Sequence, residues 1–197
     1  MRLSPGKFNR FIKKIGQSVV WRKSDACPCR DPDSGAARYD CAICQNGRLW
    51  RPGVASIVGL TGEKVLQRWA QYGQWQAGDV VLTLPSDQPV YAMAEYDRVV
   101  FCDSSVPFSI VRTMTGPQVL DLNVKSIDRV FSVDQQSGLQ VLHRIPHVSP
   151  TGVLTWMSNP PPADTQYTIS GRKAPEYFCF ADYPQDRAHH GGAKLPR

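Results

Sequence analysis

No stretch of these 197 residues approaches the run of about 18 apolar residues that a membrane-spanning helix needs, so no membrane partner is expected. The N-terminus also lacks the continuous apolar segment and small-residue cleavage site of a secretory signal. A reducing compartment is therefore expected, where clustered thiols bind metal more often than they form disulfides. Catalytic signatures are missing as well. No phosphate loop, Gly-x-Gly-x-x-Gly, Gly-x-Ser-x-Gly or His-Glu-x-x-His occurs, and the chain reads as a non-enzyme. His143 and His147 have the spacing of helical metal ligands, but Pro146 between them disfavours a helix, and they read as ordinary histidines. His189-His190 lie in a Gly-rich tail that suits solvent or a partner's carboxylates. Cys102 and Cys179 sit in apolar, strand-like contexts and read as buried free thiols.

Acid is scarce at one end only. Residues 1–30 carry eight Lys/Arg against the single acid Asp25, while the whole chain has a net charge of +6. The body is therefore close to neutral and the head is basic. A basic head meets nucleic acid, an acidic protein surface or a membrane surface, or is simply solvated.

Four cysteines are the most informative feature present. Cys27-Pro28-Cys29 precedes Cys41-Ala42-Ile43-Cys44, followed by Gln45-Asn46-Gly47. Two thiol pairs separated by a loop-forming Arg30-Asp31-Pro32-Asp33-Ser34-Gly35 read as a clip for structural zinc, with iron the other metal considered. The first pair has one intervening residue where two to four is usual, and Pro28 would stiffen that turn. Gly47 would supply the tight turn after the second knuckle. The rival readings are a disulfide pair in a secreted protein, or a redox dithiol at Cys41 and Cys44. A redox motif belongs at a strand-to-helix junction, and no helix pattern follows Cys44. A catalytic zinc needs an open coordination position, and four thiolates leave none.

Ser4-Pro5-Gly6 starts a helix, Phe8, Phe11, Ile12 and Ile15 follow at helical spacing, and Gly16 ends it. At about 10 residues this helix is too short to be stable alone. It must dock its apolar stripe on its own domain or on a neighbouring subunit. Val19 to Trp21 is extended. Beyond the cysteines come short apolar runs: 54–60, 65–69, 80–84, 90–93, 98–102, 108–114, 127–133, 139–143, 153–156, 167–170 and 177–180. Turn residues separate them, and Gln135 to Gly138 marks a hairpin. This spacing predicts a mainly β fold, a small barrel or sandwich. Lys64 to Trp75 also fits a helix; we assign it to strand. Tyr96-Asp97-Arg98-Val99 and Ile127-Asp128-Arg129-Val130 echo each other, predicting a turn that Asp closes before a strand. The expected organisation is a basic helix and arm (1–24), a zinc-knuckle segment (25–50), a β domain (51–181) and an extended C-terminal arm (182–197).

The combination of basic helix, Cys-x-Cys … Cys-x-x-Cys-x-x-Gly knuckle running into Leu49-Trp50, β domain with Gln74-Trp75-Gln76-Ala77-Gly78-Asp79-Val80, and tail with Asp186-Arg187-Ala188-His189-His190 is distinctive. It resembles the small neck or head–tail connector proteins of tailed bacteriophages, of the head-closure (stopper or adaptor) type. The likeness is one of organisation over most of the chain; many such stoppers lack a zinc knuckle. The resemblance implies a virion subunit repeated as a ring around the DNA channel. Its partners would be copies of itself, portal or adaptor proteins and tail proteins, after assembly in the host cytoplasm. Basic side chains would contact the DNA backbone without reading sequence. The alternative is a zinc-containing nucleic-acid-binding protein using Lys7, Arg10, Lys13, Lys14, Arg22 and Lys23, with Phe8, Phe11 and Trp21 for stacking.

Overall fold

The computed structural model describes residues 4–44, 46–60, 78–120 and 123–180. The strand expected at 65–69, the segment Lys64 to Trp75 and the arm at 182–197 lie outside them. The fold is mainly β, with one short N-terminal helix and a half-barrel sheet. The chain begins with α1 (Pro5–Ile15), β1 (Gln17–Arg22), β2 (Ser24–Ala26), β3 (Arg48–Trp50), β4 (Val54–Leu60), β5 (Leu82–Thr83) and β6 (Arg98–Phe101). It continues with β7 (Val106–Thr113), β8 (Val124–Val133), β9 (Gln140–Leu142), β10 (His147–Val148), β11 (Leu154–Thr155), β12 (Gln166–Lys173) and β13 (Glu176–Phe178). Two compact units result, Met1–Cys102 with Tyr177–Arg197, and Asp103–Glu176. Strands from the expected 51–181 segment occur in both.

In the first unit the sheet order is β13-β6-β1-β4-β5. β1 lies at its centre, antiparallel to β4 through Gln17↔Val58 to Trp21↔Val54 and to β6 through Val19↔Phe101 to Arg22↔Arg98. Period-two alternation puts Val19 and Trp21 on one face, where they join Val58, Leu84, Val90, Met93, Val99 and Phe101 in the core. Fully burying each such side chain stabilises the fold by about 1.5–3 kcal/mol.

The helix starts where Pro5 supplies a preset φ, and the carbonyl of Ser4 accepts from the N–H of Lys7 and of Phe8. It stops at Gly16, where a Cβ would lie 2.6 Å from the carbonyl oxygens of both Ile12 and Val58. Gly16 thus permits the chain to turn directly from helix into sheet. On α1 only Asn9 and Ile12 are buried. Asn9 clamps the helix to the loop before the 3-10 turn: its Nδ2 donates to Ser86 Oγ (2.8 Å), and Ser86 N–H donates to Asn9 Oδ1 (3.1 Å).

Residues 90–93, expected as a strand, instead form most of a 3-10 turn over Pro89–Ala92. Pro89 has no N–H for a ladder, and Met93 N–H closes on Val90 O. The cores of the expected strands at 80–84 and 153–156 shrink to Leu82–Thr83 and Leu154–Thr155.

Asp97 closes its turn as expected: its N–H donates to Ala94 O, and its carboxylate accepts from Ala94 N–H at 3.0 Å. It does more, because it is fully buried and also accepts from Trp21 Nε1 (2.8 Å) and Ser24 N–H (2.7 Å). The echo at Asp128 is not structural. That residue is exposed within β8, with Ser126 Oγ as its hydrogen-bond donor. Cys102, expected to be buried, is exposed one residue beyond the end of β6, and Cys179 is half-buried.

The second unit holds a sheet of order β7-β12-β8-β9 and the short β10-β11 ladder. β12 pairs along its length with β7 from Gln166↔Thr113 to Lys173↔Val106. Its core gathers Phe108, Leu120, Val130, Leu154, Tyr167 and Ile169. The expected β8–β9 hairpin forms: Asp134 N–H donates to Leu139 O, and the Asp134 carboxylate accepts from Ser137 Oγ at 2.6 Å.

Candidate metal centre

β1 and β4 are neighbours, yet the sequence between them runs from Lys23 to Gly53. The excess chain is carried outward by a two-strand ribbon, in which Ser24, Asp25 and Ala26 of β2 face Trp50, Leu49 and Arg48 of β3. Arg51 fixes its base with a two-pronged ion pair to Asp25 (2.7 and 2.8 Å). This guanidinium holds the Asp25 carboxyl below its usual range. The four cysteines lie at the far end of the ribbon, so they cap a long hairpin grown from the middle of the sheet.

Each segment of this tip is ordered by polar contacts. Cys27 N–H donates to Gly47 O (2.9 Å), and Arg30 N–H donates back to Cys27 O (3.0 Å), closing the first turn. Asp31 organises the intervening loop, its carboxylate accepting from the N–H of Asp33 and from both the N–H and Oγ of Ser34. Arg30 Nε donates to Gly35 O at 2.7 Å. On the return side, Asn46 and Gly47 both adopt left-handed backbone, with φ of 52° and 77°. Gly47 fulfils the expected turn, and a Cβ there would meet Ala37 Cβ at 2.7 Å.

The result brings Cys27, Cys29, Cys41 and Cys44 together, with all four sulfurs within 4.8 Å of one another. Cys29 and Cys44 Sγ are 3.4 Å apart. A tetrahedron with metal–sulfur bonds of about 2.3 Å has edges of about 3.8 Å, so the set could hold a metal ion with small adjustments. Among the described residues, no other group of three or more His, Cys, Asp or Glu side chains converges in this way. Cys27 is buried and the other three are half-buried.

The sulfurs differ in acidity. Backbone N–H groups of Ile43 and Cys44 aimed at Cys41 pull its thiol down to about 6. Burial, reinforced by the neighbouring thiols, pushes Cys44 up to about 12, and burial also raises Cys29. Cys41 thus forms a thiolate most readily, while burial favours the protonated form of Cys29 and Cys44. Binding an ion here must release protons.

The six basic residues expected to contact nucleic acid or a partner lie on two stretches of the chain. Lys7, Arg10, Lys13 and Lys14 ride on α1, while Arg22 and Lys23 lie at the opposite end of β1. Lys13 pairs with Asp87 at 2.6 Å. His143 is buried, with Nε2 2.8 Å from Ser132 Oγ, and His147 is exposed in β10. His189 and His190 lie outside the described residues.

Sequence reasoning missed a second feature beside the tip. Trp50, Tyr96 and Phe178 come together with Arg30, Arg48 and Arg98 around a cleft of about 290 Å³. The pairing Arg48-x-Trp50 directly after Gly47 was its only visible trace, since two residues apart on a strand share a face. The remaining members come from distant parts of the chain.

No protein-family model matches the chain, and no curated protein is significantly similar to it. Among the described residues no helix is long and apolar enough to cross a membrane.

Proposed function

We propose that this chain is a structural subunit of a tailed-phage neck, repeated as a ring between portal and tail around the DNA channel, with its cysteine tip clipped by one structural zinc. The observation that carries the reading is the half-docked helix. Ile12 is buried at 3% exposure, but Phe8, Phe11 and Ile15 on the same stripe remain 38%, 55% and 61% exposed. A helix too short to persist alone, presenting three large apolar side chains to water, suits a contact with another subunit. Ring contacts are heterologous, one surface of each copy meeting a different surface of the next. The zinc reading rests on four sulfurs of the ligand type that ion prefers, with no position left for substrate. A clip suits a loop that has almost no core of its own. The role is therefore architectural rather than catalytic, and the setting is the virion.

Native mass spectrometry of the full chain, alone and with a portal–adaptor ring, tests this. One zinc per chain and a closed oligomer, or saturable docking on the ring, is the expected result. Phe11→Asp should abolish assembly and leave the melting temperature unchanged. A zinc-bearing monomer that ignores the ring, or an assembly indifferent to Phe11→Asp, would overturn the assignment.

A second reading has its own observation. Lys7, Arg10 and Lys14 are exposed and form no ion pair among the described residues, leaving their charge available to phosphates. A zinc-containing nucleic-acid-binding protein would bind duplex DNA with steep salt dependence. That binding would vanish when Lys7, Arg10, Lys13, Lys14, Arg22 and Lys23 are neutralised.

A further inference from the structure

The cleft beside the cysteine tip has the chemistry of a nucleotide site, a property that goes beyond the assembly role and does not depend on it. Its walls come from four places: β3, the loop after Cys29, the turn entering β6, and β13. Arg98 places its guanidinium 3.5 Å from the Trp50 ring centroid and 4.7 Å from that of Phe178. Arg48 lies 4.0 Å from the Tyr96 ring centroid. Trp50 and Phe178 meet edge to face at 6.2 Å, and Trp50 Nε1 donates to Tyr96 O at 3.1 Å. These contacts hold the aromatic rings and the guanidiniums in one fixed frame.

A guanidinium lying over an aromatic ring directs its N–H donors outward in its own plane, where an oxyanion can be bound by two parallel hydrogen bonds. Arg30 uses Nε on Gly35 O and has its terminal nitrogens left for such a ligand. Neither Arg30 nor Arg48 has an ion pair among the described residues. The nearby carboxylate of Asp97 is buried and already accepts from Trp21, Ser24 and Ala94. The cleft therefore joins positive charge to flat apolar surface. Tyr96 and Phe178 remain half exposed, at 50% and 57%.

The geometry points to a site for one nucleotide of a single-stranded nucleic acid, its phosphate on Arg48 and Arg30 and its base against the Tyr96 and Phe178 side. Two features favour this over an acidic peptide. A carboxylate side chain has no use for the aromatic wall, whereas every base has a π face that stacks on such rings or on arginine planes. The volume also matches one small planar group with its anion. A base paired and stacked within a duplex has no free π face to offer such rings.

The test titrates the full chain as purified into a fluorescein-labelled oligothymidylate of about 12 nucleotides and reads anisotropy. Saturable binding is expected, falling about two- to threefold between about 50 and about 200 mM salt, as a single phosphate contact requires. Arg48→Ala should weaken it at least about tenfold with an unchanged melting curve. Arg48→Lys, which keeps the charge but not the planar fork, should recover only part of the loss, and it decides the matter if the alanine variant misfolds. Competition separates the sources. Displacement by AMP at similar concentration assigns the same chemistry to a free nucleotide, whereas displacement only by unlabelled oligonucleotide assigns it to a strand. Absence of saturable binding, equal binding by the Arg48 variants, or equal competition by an oligoglutamate peptide would overturn the proposal.

Discussion

The two ends of one hairpin are ordered by different physics. At its base, β1 and β4 lie inside a sheet, and Val19, Trp21 and Val58 are almost wholly withdrawn from water. At its tip, Tyr39 is fully exposed and Ile43 nearly so, and apart from Cys27 and Gly47 little is buried. The base is held mainly by apolar area, which is non-directional, and is pinned at one point by the buried carboxylate of Asp97. The tip is held by turns, an Asp31-centred hydrogen-bond set and four convergent thiols, all of which depend on geometry. Chain that builds little core of its own is ordered here by local polar contacts, and the arginine and aromatic cleft lies beside it.

The sharpest way to break the base is at Asp97. Asp97→Ala would strand the buried Trp21 Nε1 donor and remove the acceptor of the part-buried Ser24 and Ala94 N–H groups, and should cost about 3 kcal/mol in denaturant unfolding. It would leave the cysteine chemistry untouched, so ion uptake per folded chain should be unchanged. Trp21→Phe removes only one of those donors and should cost about 1–2 kcal/mol. A double-mutant cycle of the two should be strongly non-additive.

The tip should respond in the opposite sense. Gly47→Ala forces a Cβ onto left-handed backbone and against Ala37, costing about 1–3 kcal/mol locally. Calorimetric unfolding of the sheet should shift little, while affinity for an added thiophilic ion falls. Lys13→Ala, which removes a half-exposed ion pair with Asp87, should change stability by less than about 1 kcal/mol. It sets the scale of a surface contact against both.

Much of this contrast is legible in the sequence, and the gaps have physical causes. The thiol spacing and Gly47 identify the tip because chelation and left-handed turns impose local rules. Strands β4, β6 and β12 are visible because β-branched runs between turn residues fit a pleated, half-buried surface. The ribbon of Ser24-Asp25-Ala26 with Arg48-Leu49-Trp50 escapes such reading. Its residues have no alternation, and it pairs because the hairpin base and the Arg51–Asp25 ion pair hold its ends in register. The bond from Trp21 to Asp97 spans 76 residues, and no local pattern announces it. The exposure of Phe8, Phe11 and Ile15 is equally invisible, since amphipathic spacing shows that a stripe exists and not how much of it is covered. The cleft of Arg30, Arg48 and Arg98 is a product of topology alone.

The most direct test is hydrogen exchange on the full chain, zinc-loaded and after chelation. The account predicts that the amides of Cys27, Arg30, Asp31 and Gly35 lose protection on chelation, while those of Val19, Val20 and Val58 keep theirs. Unchanged protection at the tip after complete metal removal would contradict it, and so would loss of protection throughout the sheet.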